Sequence, residues 1–168
     1  KKMLEKIEKA VHKPTAQVQH QDLVKIAFEY DPIDLAHALP KIPPSARLIL
    51  YQCLLDIKAK ASFLTNASST PRISILRVLP DEEIKTIIQQ VPADDAINVL
   101  EDLPVHRVRR ILDLVDFAKR QKIKALLRHG RSMAGRLMTN EFFAFHLQAK
   151  VGDVVHFIRD NPGLELTA

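Results

Sequence analysis

The residues best suited to chemistry follow Pro92, where Asp94, Asp95, Asn98, Glu101 and Asp102 bring oxygen-bearing side chains together in one short stretch. A helix starting there turns Ala96, Ile97, Leu100 and Leu103 inward. It leaves Asp94, Asn98 and Glu101 on one outward line (i, i+4, i+7) and Asp95, Asn98 and Asp102 (i, i+3, i+7) on the adjacent one. Oxygens of this kind suit a hard cation: Mg²⁺ takes ligands at about 2.0 to 2.1 Å in octahedral geometry, and often keeps several waters beside one or two carboxylates. The same acids have a plainer use, since an anion in the first turn of a helix gains about 0.3 to 1 kcal/mol from the helix dipole. Both uses stand open at the level of spacing.

Other chemistries lack their residues. There is no glycine-rich phosphate loop and no Gly-x-Ser-x-Gly turn, and the seven histidines (12, 20, 37, 106, 129, 146 and 156) include no pair three or four apart that would put two zinc ligands on one helix. Cys53, the single cysteine, sits in the apolar run Leu48 to Leu55 and reads as a buried thiol in a reducing compartment. We therefore expect no enzyme and no small-molecule substrate. The chain carries a formal charge of +5, unevenly spread. Asp81 to Pro104 holds seven acids against Lys85, whereas Val105 to Arg136 holds ten bases against Asp113 and Asp116. The basic part has only Phe117 among its aromatics, which argues against a nucleic-acid surface built on base stacking. Complementary helix faces, a cation site on the acidic part and an anion or membrane contact on the basic part remain as readings.

The elements that must position these groups are marked by proline. Prolines at 32, 44, 80, 92 and 104 lie on a twelve-residue beat, which Asp56, Ser68 and Asp116 complete with residue types that begin helices. Between the marks run apolar residues spaced three and four apart, such as Ile84, Ile87, Ile88 and Val91, or Val108, Ile111, Leu112 and Val115. Segments of roughly nine residues are too short to persist alone in water and must stack. Proline, lacking the N–H that the first helical position does not use, is expected at that position, ending one helix and starting the next. The predicted fold is all-α: a right-handed α-solenoid of helix pairs about 24 residues long. Met3, Leu4, Ile7 and Val11 predict a leading helix within residues 1–15, and Leu23, Ile26, Ala27 and Tyr30 another.

Farther on the pattern changes. Phe142 to Leu147 reads as a strand, and Val154, Val155, Phe157 and Ile158 predict a helix over about Val151 to Asp160, stopped by Pro162 and Gly163. A strand and a helix alone cannot bury both faces, so this part reads as the opening of a second domain. No apolar run approaches the ~20 residues of a membrane span, and Lys1 and Lys2 are followed by charges in place of a leader's apolar stretch.

Taken in order, Asp31-Pro32-Ile33-Asp34-Leu35-Ala36, Leu79-Pro80-Asp81-Glu82-Glu83, Pro92-Ala93-Asp94-Asp95-Ala96 and Ser132-Met133-Ala134-Gly135-Arg136-Leu137-Met138-Thr139 resemble steps of the MgtE family of bacterial magnesium channels. The resemblance implies a helical N domain over residues 1–131, then a linker and an incomplete first CBS domain over 132–168. It implies a regulatory domain on the cytoplasmic face of the inner membrane that senses Mg²⁺, with the channel's CBS and transmembrane domains as partners and a homodimer in the full-length protein. Carried over position by position, it implies Asp94, Asn98 and the backbone near Gly135 as Mg²⁺ ligands, with Asn98 standing where relatives carry an acid, and Asp95 is a further candidate beside them. The same stacked-helix pattern occurs in the middle region of the flagellar motor protein FliG, so a metal-independent interaction scaffold is the alternative.

Overall fold

Twelve-residue spacing becomes helix spacing. The computed structural model describes residues 2–13, 16–128, 145 and 147–160, and among them every regular element is helical. The α-helices are α1 (Lys2–Val11), α2 (Ala16–Glu29), α3 (Pro32–Ala38), α4 (Pro44–Cys53), α5 (Ile57–Asn66), α6 (Ser69–Leu76), α7 (Asp81–Gln90), α8 (Ala93–Leu100), α9 (Val105–Leu114), α10 (Phe117–Leu127) and α11 (Val151–Asp160). A 3₁₀ turn over Leu39–Lys41 holds Pro40 between α3 and α4.

The helix starts use two devices. Asp31 Oδ1 accepts the Ile33 N–H at 2.8 Å, Asp56 Oδ2 that of Ala59 at 3.2 Å, and Asp116 Oδ1 that of Lys119 at 2.9 Å, each satisfying one of the donors that a helix leaves unpaired at its N-terminus. Pro32 and Pro44 occupy the first helical position, as expected. Pro80, Pro92 and Pro104 do not: each is the flanking cap residue, with ψ of 151°, 157° and 143°. Their fixed φ suits that extended conformation, and their carbonyls accept the first helical bonds from Ile84, Ala96 and Val108 at 3.2, 2.9 and 3.1 Å. A proline cap supplies no side-chain oxygen. Asp81, Glu82, Asp94 and Asp95 stand instead in the first turns of α7 and α8, where the dipole favours them.

Packing follows the beat. Helix α2 packs on α4, α3 on α5, α4 on α6, α5 on α7, α7 on α9 and α8 on α10, so that most elements meet the next but one, while α5 also touches α8 and α1 closes on α2. This is the stacking of a helical-pair solenoid, with one apolar seam running from Ile7 to Leu126 through Leu35, Leu50, Phe63, Ile84 and Ile111. Full burial of such a side chain contributes about 1.5 to 3 kcal/mol relative to leaving it in water, which is what holds helices too short to stand alone. The rings of Tyr51 and Phe63 lie 6.3 Å apart within the seam.

Helix α11 forms where the spacing predicted it, without burying any residue, and Phe157 meets Phe145 edge-on with ring centroids 5.4 Å apart. Of the strand expected over 142–147, only Phe145 and Leu147 are described, and neither is in a strand; the remainder lies outside the described residues. No helix among the described residues is long and apolar enough to cross a membrane.

Candidate functional site

Helix α8 buries Ala93, Ala96, Ile97, Val99 and Leu100, which turns residues 94, 95 and 98 away from the seam. Asp94 is half-buried and Asn98 exposed, and neither side chain bonds to another described residue. Asp95, also half-buried, has a partner within the protein. The spacing thus gives one open carboxylate and, one turn on, one open amide. Gly135, whose backbone the resemblance implies as a ligand, lies outside the described residues.

The second outward line does not hold as spacing suggested. Asp102 is turned into the protein. Its Oδ2 accepts Arg72 Nε at 2.6 Å and its Oδ1 accepts Ser69 Oγ at 2.6 Å, and the Arg72 and Asp102 side chains are only 8% and 11% exposed. Arg72 also reaches the Leu64 and Thr65 carbonyls at 3.3 Å, spending its guanidinium on three acceptors. The physical reason lies in the end of α8: past Leu100 the chain bends through Glu101 and Asp102, whose N–H groups bond back to Ile97 and Val99, and the regular helical line is broken.

Two more acids of the stretch, Asp81 and Glu83, are neutralised in the same way, whereas Glu82 is exposed and its carboxylate bonds no other described residue. Asp81 Oδ1 accepts Arg107 Nε at 2.8 Å, and its Oδ2 lies 3.0 Å from Arg110; Arg107 also donates to the Leu76 and Leu79 carbonyls at 2.8 and 2.7 Å. Glu83 Oε1 accepts the Tyr51 hydroxyl at 2.7 Å and Lys60 Nζ at 3.1 Å, while the Lys60 ammonium sits 4.9 Å above the Tyr51 ring. Burial pushes the Glu83 carboxyl up, but the Tyr51 and Lys60 donors outweigh it and hold the group below its ordinary value. The Tyr51 hydroxyl is pushed well above the ordinary phenol, first by burial and then by that bond. Asp116, bonded by the Lys119 backbone and by the Gln89 side chain, is also held low. Of the two charge blocks in the sequence, then, Asp81 answers Arg107 and Arg110 directly, and the earlier Lys60 and Arg72 answer Glu83 and Asp102.

These partners lie 23 to 33 residues apart, beyond any local motif, and periodicity alone does not reveal them. Arg72 carried the one usable signal, a lone cation inside the apolar run of α6. His20 also meets Cys53, its Nδ1 3.6 Å from Sγ, although no local spacing paired them. Burial raises the Cys53 thiol to about 11, so it is protonated at neutral pH and is no nucleophile. Among the described residues no cluster of three or more His, Cys, Asp or Glu side chains could hold a metal. Asp94 and Asn98 fit a hydrated Mg²⁺ held through one or two protein oxygens, and they do not make a dedicated cage.

Residues 30–131 match the family described as the MgtE intracellular N domain. No curated protein matches the chain. Among solved structures it is similar to the cytosolic domain of the Mg²⁺ channel MgtE in complex with ATP, with a TM-score of 0.76 and 23% identity over 98% of this chain and 65% of that one. It is also similar to the soluble part of a magnesium transporter, with a TM-score of 0.73 and 17% identity over 98% of this chain and 64% of that one. At such identities the likeness shows a shared fold, and this chain spans just under two-thirds of the length of either. The family match covers well over half of the sequence and the helices it spans are those of the stacked fold, so the chain belongs to the MgtE family through its intracellular N domain.

Proposed function

We propose that the chain is the cytosolic regulatory domain of an MgtE-like magnesium channel, a Mg²⁺ sensor that gates transport and performs no catalysis. Its partners are then the CBS and transmembrane domains of the same channel, in a homodimer at the cytoplasmic face of the bacterial inner membrane. In this reading the N domain covers residues 1–131, a span supported by the family match over 30–131, and a linker leading into a first CBS domain follows over 132–168. A ligand shifts a two-state equilibrium only by binding the two states differently. Mg²⁺ would do so by bridging Asp94, directly or through water, to groups of the linker and CBS region, with Asp95, Asn98 and the Gly135 backbone contributing.

The observation that carries this reading is the selectivity with which the fold spends its carboxylates. Asp81, Glu83 and Asp102 are answered by the domain's own cations, whereas Asp94 on the outward side of α8 is not. Thermal melting with and without millimolar Mg²⁺ tests it, because a ligand of the native state raises the midpoint. The expected result is a rise in the unaltered chain that Asp94→Ala abolishes. No rise, or an equal rise in the variant, overturns the sensor reading.

The stacked helical pairs equally suit the second reading, a metal-independent helical scaffold resembling the FliG middle region. It predicts the flat melting response.

A further inference from the structure

We propose that the far end of the described helical stack, formed by α9 and α10, docks on the surface of an anionic lipid bilayer. Helix α9 packs back on α7 and α10 back on α8, so the opposite sides of both helices face away from the stack. Val105 begins α9 with 69% of its surface exposed, and Arg109 stands one turn farther on. Phe117 begins α10 at 70% exposure, and Lys124 and Arg128 follow at seven and eleven residues, on the same helical face.

Charge bookkeeping within the fold singles out the same residues. Arg107 and Arg110 are paired with Asp81, Lys119 bonds the Val91 carbonyl, and Arg120 lies near Asp113 and bonds the Val115 carbonyl. Arg109, Lys124 and Arg128 are exposed and bond no other described residue. Of the two acids nearby, Asp116 caps α10 and Asp113 sits 3.6 Å from Arg120. What remains are two exposed helix faces, Val105 with Arg109 on α9 and Phe117 with Lys124 and Arg128 on α10, each pairing an apolar side chain with unpaired cations.

Anionic headgroups attract each such cation by about 1 kcal/mol near the surface, and apolar side chains can enter the boundary between headgroups and acyl chains. A nucleic-acid surface would want several stacking aromatics, and this one offers Phe117 alone. The inference rests on the channel reading only in that a channel holds this domain close to a bilayer, where tethering makes a weak contact effective. It does not depend on Mg²⁺ sensing, and the test contains no Mg²⁺.

The experiment is co-sedimentation of the 168-residue chain with vesicles of phosphatidylcholine, alone or with about a third phosphatidylglycerol, at low and high salt. The proposal expects binding to the anionic vesicles only and weakening by salt. Arg109→Gln with Lys124→Gln and Arg128→Gln should reduce the partition coefficient at least about tenfold, and Phe117→Ser by a smaller factor, with helical circular dichroism unchanged. Binding to neither vesicle, equal binding to both, or anionic binding untouched by the triple variant overturns it. So does retention by an RNA duplex at salt that releases the vesicles.

Discussion

Arg72 Nε donates to Asp102 Oδ2 at 2.6 Å with both side chains nearly sealed from water, tying α6 to the bend after α8 across 30 residues of chain. Removing one member leaves a buried charge without a partner. Asp102→Ala is therefore expected to cost about 3 to 5 kcal/mol in chemical denaturation, and Arg72→Met with Asp102→Leu to recover much of that loss. A double variant no more stable than Asp102→Ala alone would show that the pair is not what the seam depends on.

Glu83 gives the acid limb of stability. Its carboxyl is held low in the fold, chiefly against its own burial, by Tyr51 and Lys60. A group whose folded value lies below its unfolded value stabilises above the unfolded value and loses that contribution as pH falls through the folded one. Melting temperature should fall as pH drops from about 6 to about 3, and Glu83→Gln should flatten part of that slope. Asp22, bonded by Lys13, and Asp116 are also held low and account for a remainder that Glu83→Gln leaves in place.

Tyr51→Phe removes the hydroxyl donor from Glu83 and keeps the ring that packs on Phe63. We expect a loss of about 1 to 2 kcal/mol near neutral pH and an acid limb displaced toward higher pH, because Lys60 alone then holds the carboxylate. An unchanged limb would assign the low value to Lys60.

The two kinds of helix start should separate under mutation. Asp116→Ala deletes the cap of α10 together with the Gln89 bond and should lower the urea midpoint by the larger amount. Pro92→Ala leaves the carbonyl that Ala96 bonds and acts mainly through the unfolded chain, at about 0.4 to 1 kcal/mol. Urea midpoints measured side by side check the order.

Cys53 should resist alkylation. With the thiol buried and raised to about 11, iodoacetamide at neutral pH should label the native chain far more slowly than the urea-unfolded one. Equal rates would place the thiol at the surface.

Much of this architecture is legible without coordinates because proline and aspartate act locally. The beat from Pro32 to Asp116 marks each helix start to within a residue, and spacing places Ala96, Ile97, Leu100 and Leu103 in the seam. What spacing does not show is which acids the fold consumes. Asp94 and Asp102 look alike on a helical wheel, yet one is open and the other is sealed by Arg72, since the difference comes from a helix two elements away and from the bend at Glu101. The use of Pro80, Pro92 and Pro104 as caps was hidden for a related reason: the same fixed φ serves either position, and the neighbouring ψ decides.

Next-but-one packing has a consequence for how the layers find one another. Shallow apolar ridges repeated every 24 residues, the distance from Pro80 to Pro104, offer every layer several near-equivalent neighbours. A misassembly displaced by one such unit would set Arg107 opposite Ile57 in place of Asp81, and Arg72 opposite Val78 in place of Asp102, stranding each guanidinium against a side chain that accepts nothing. The sealed ion pairs thus act as addresses: they add little net attraction between correct neighbours, and they make the wrong ones expensive.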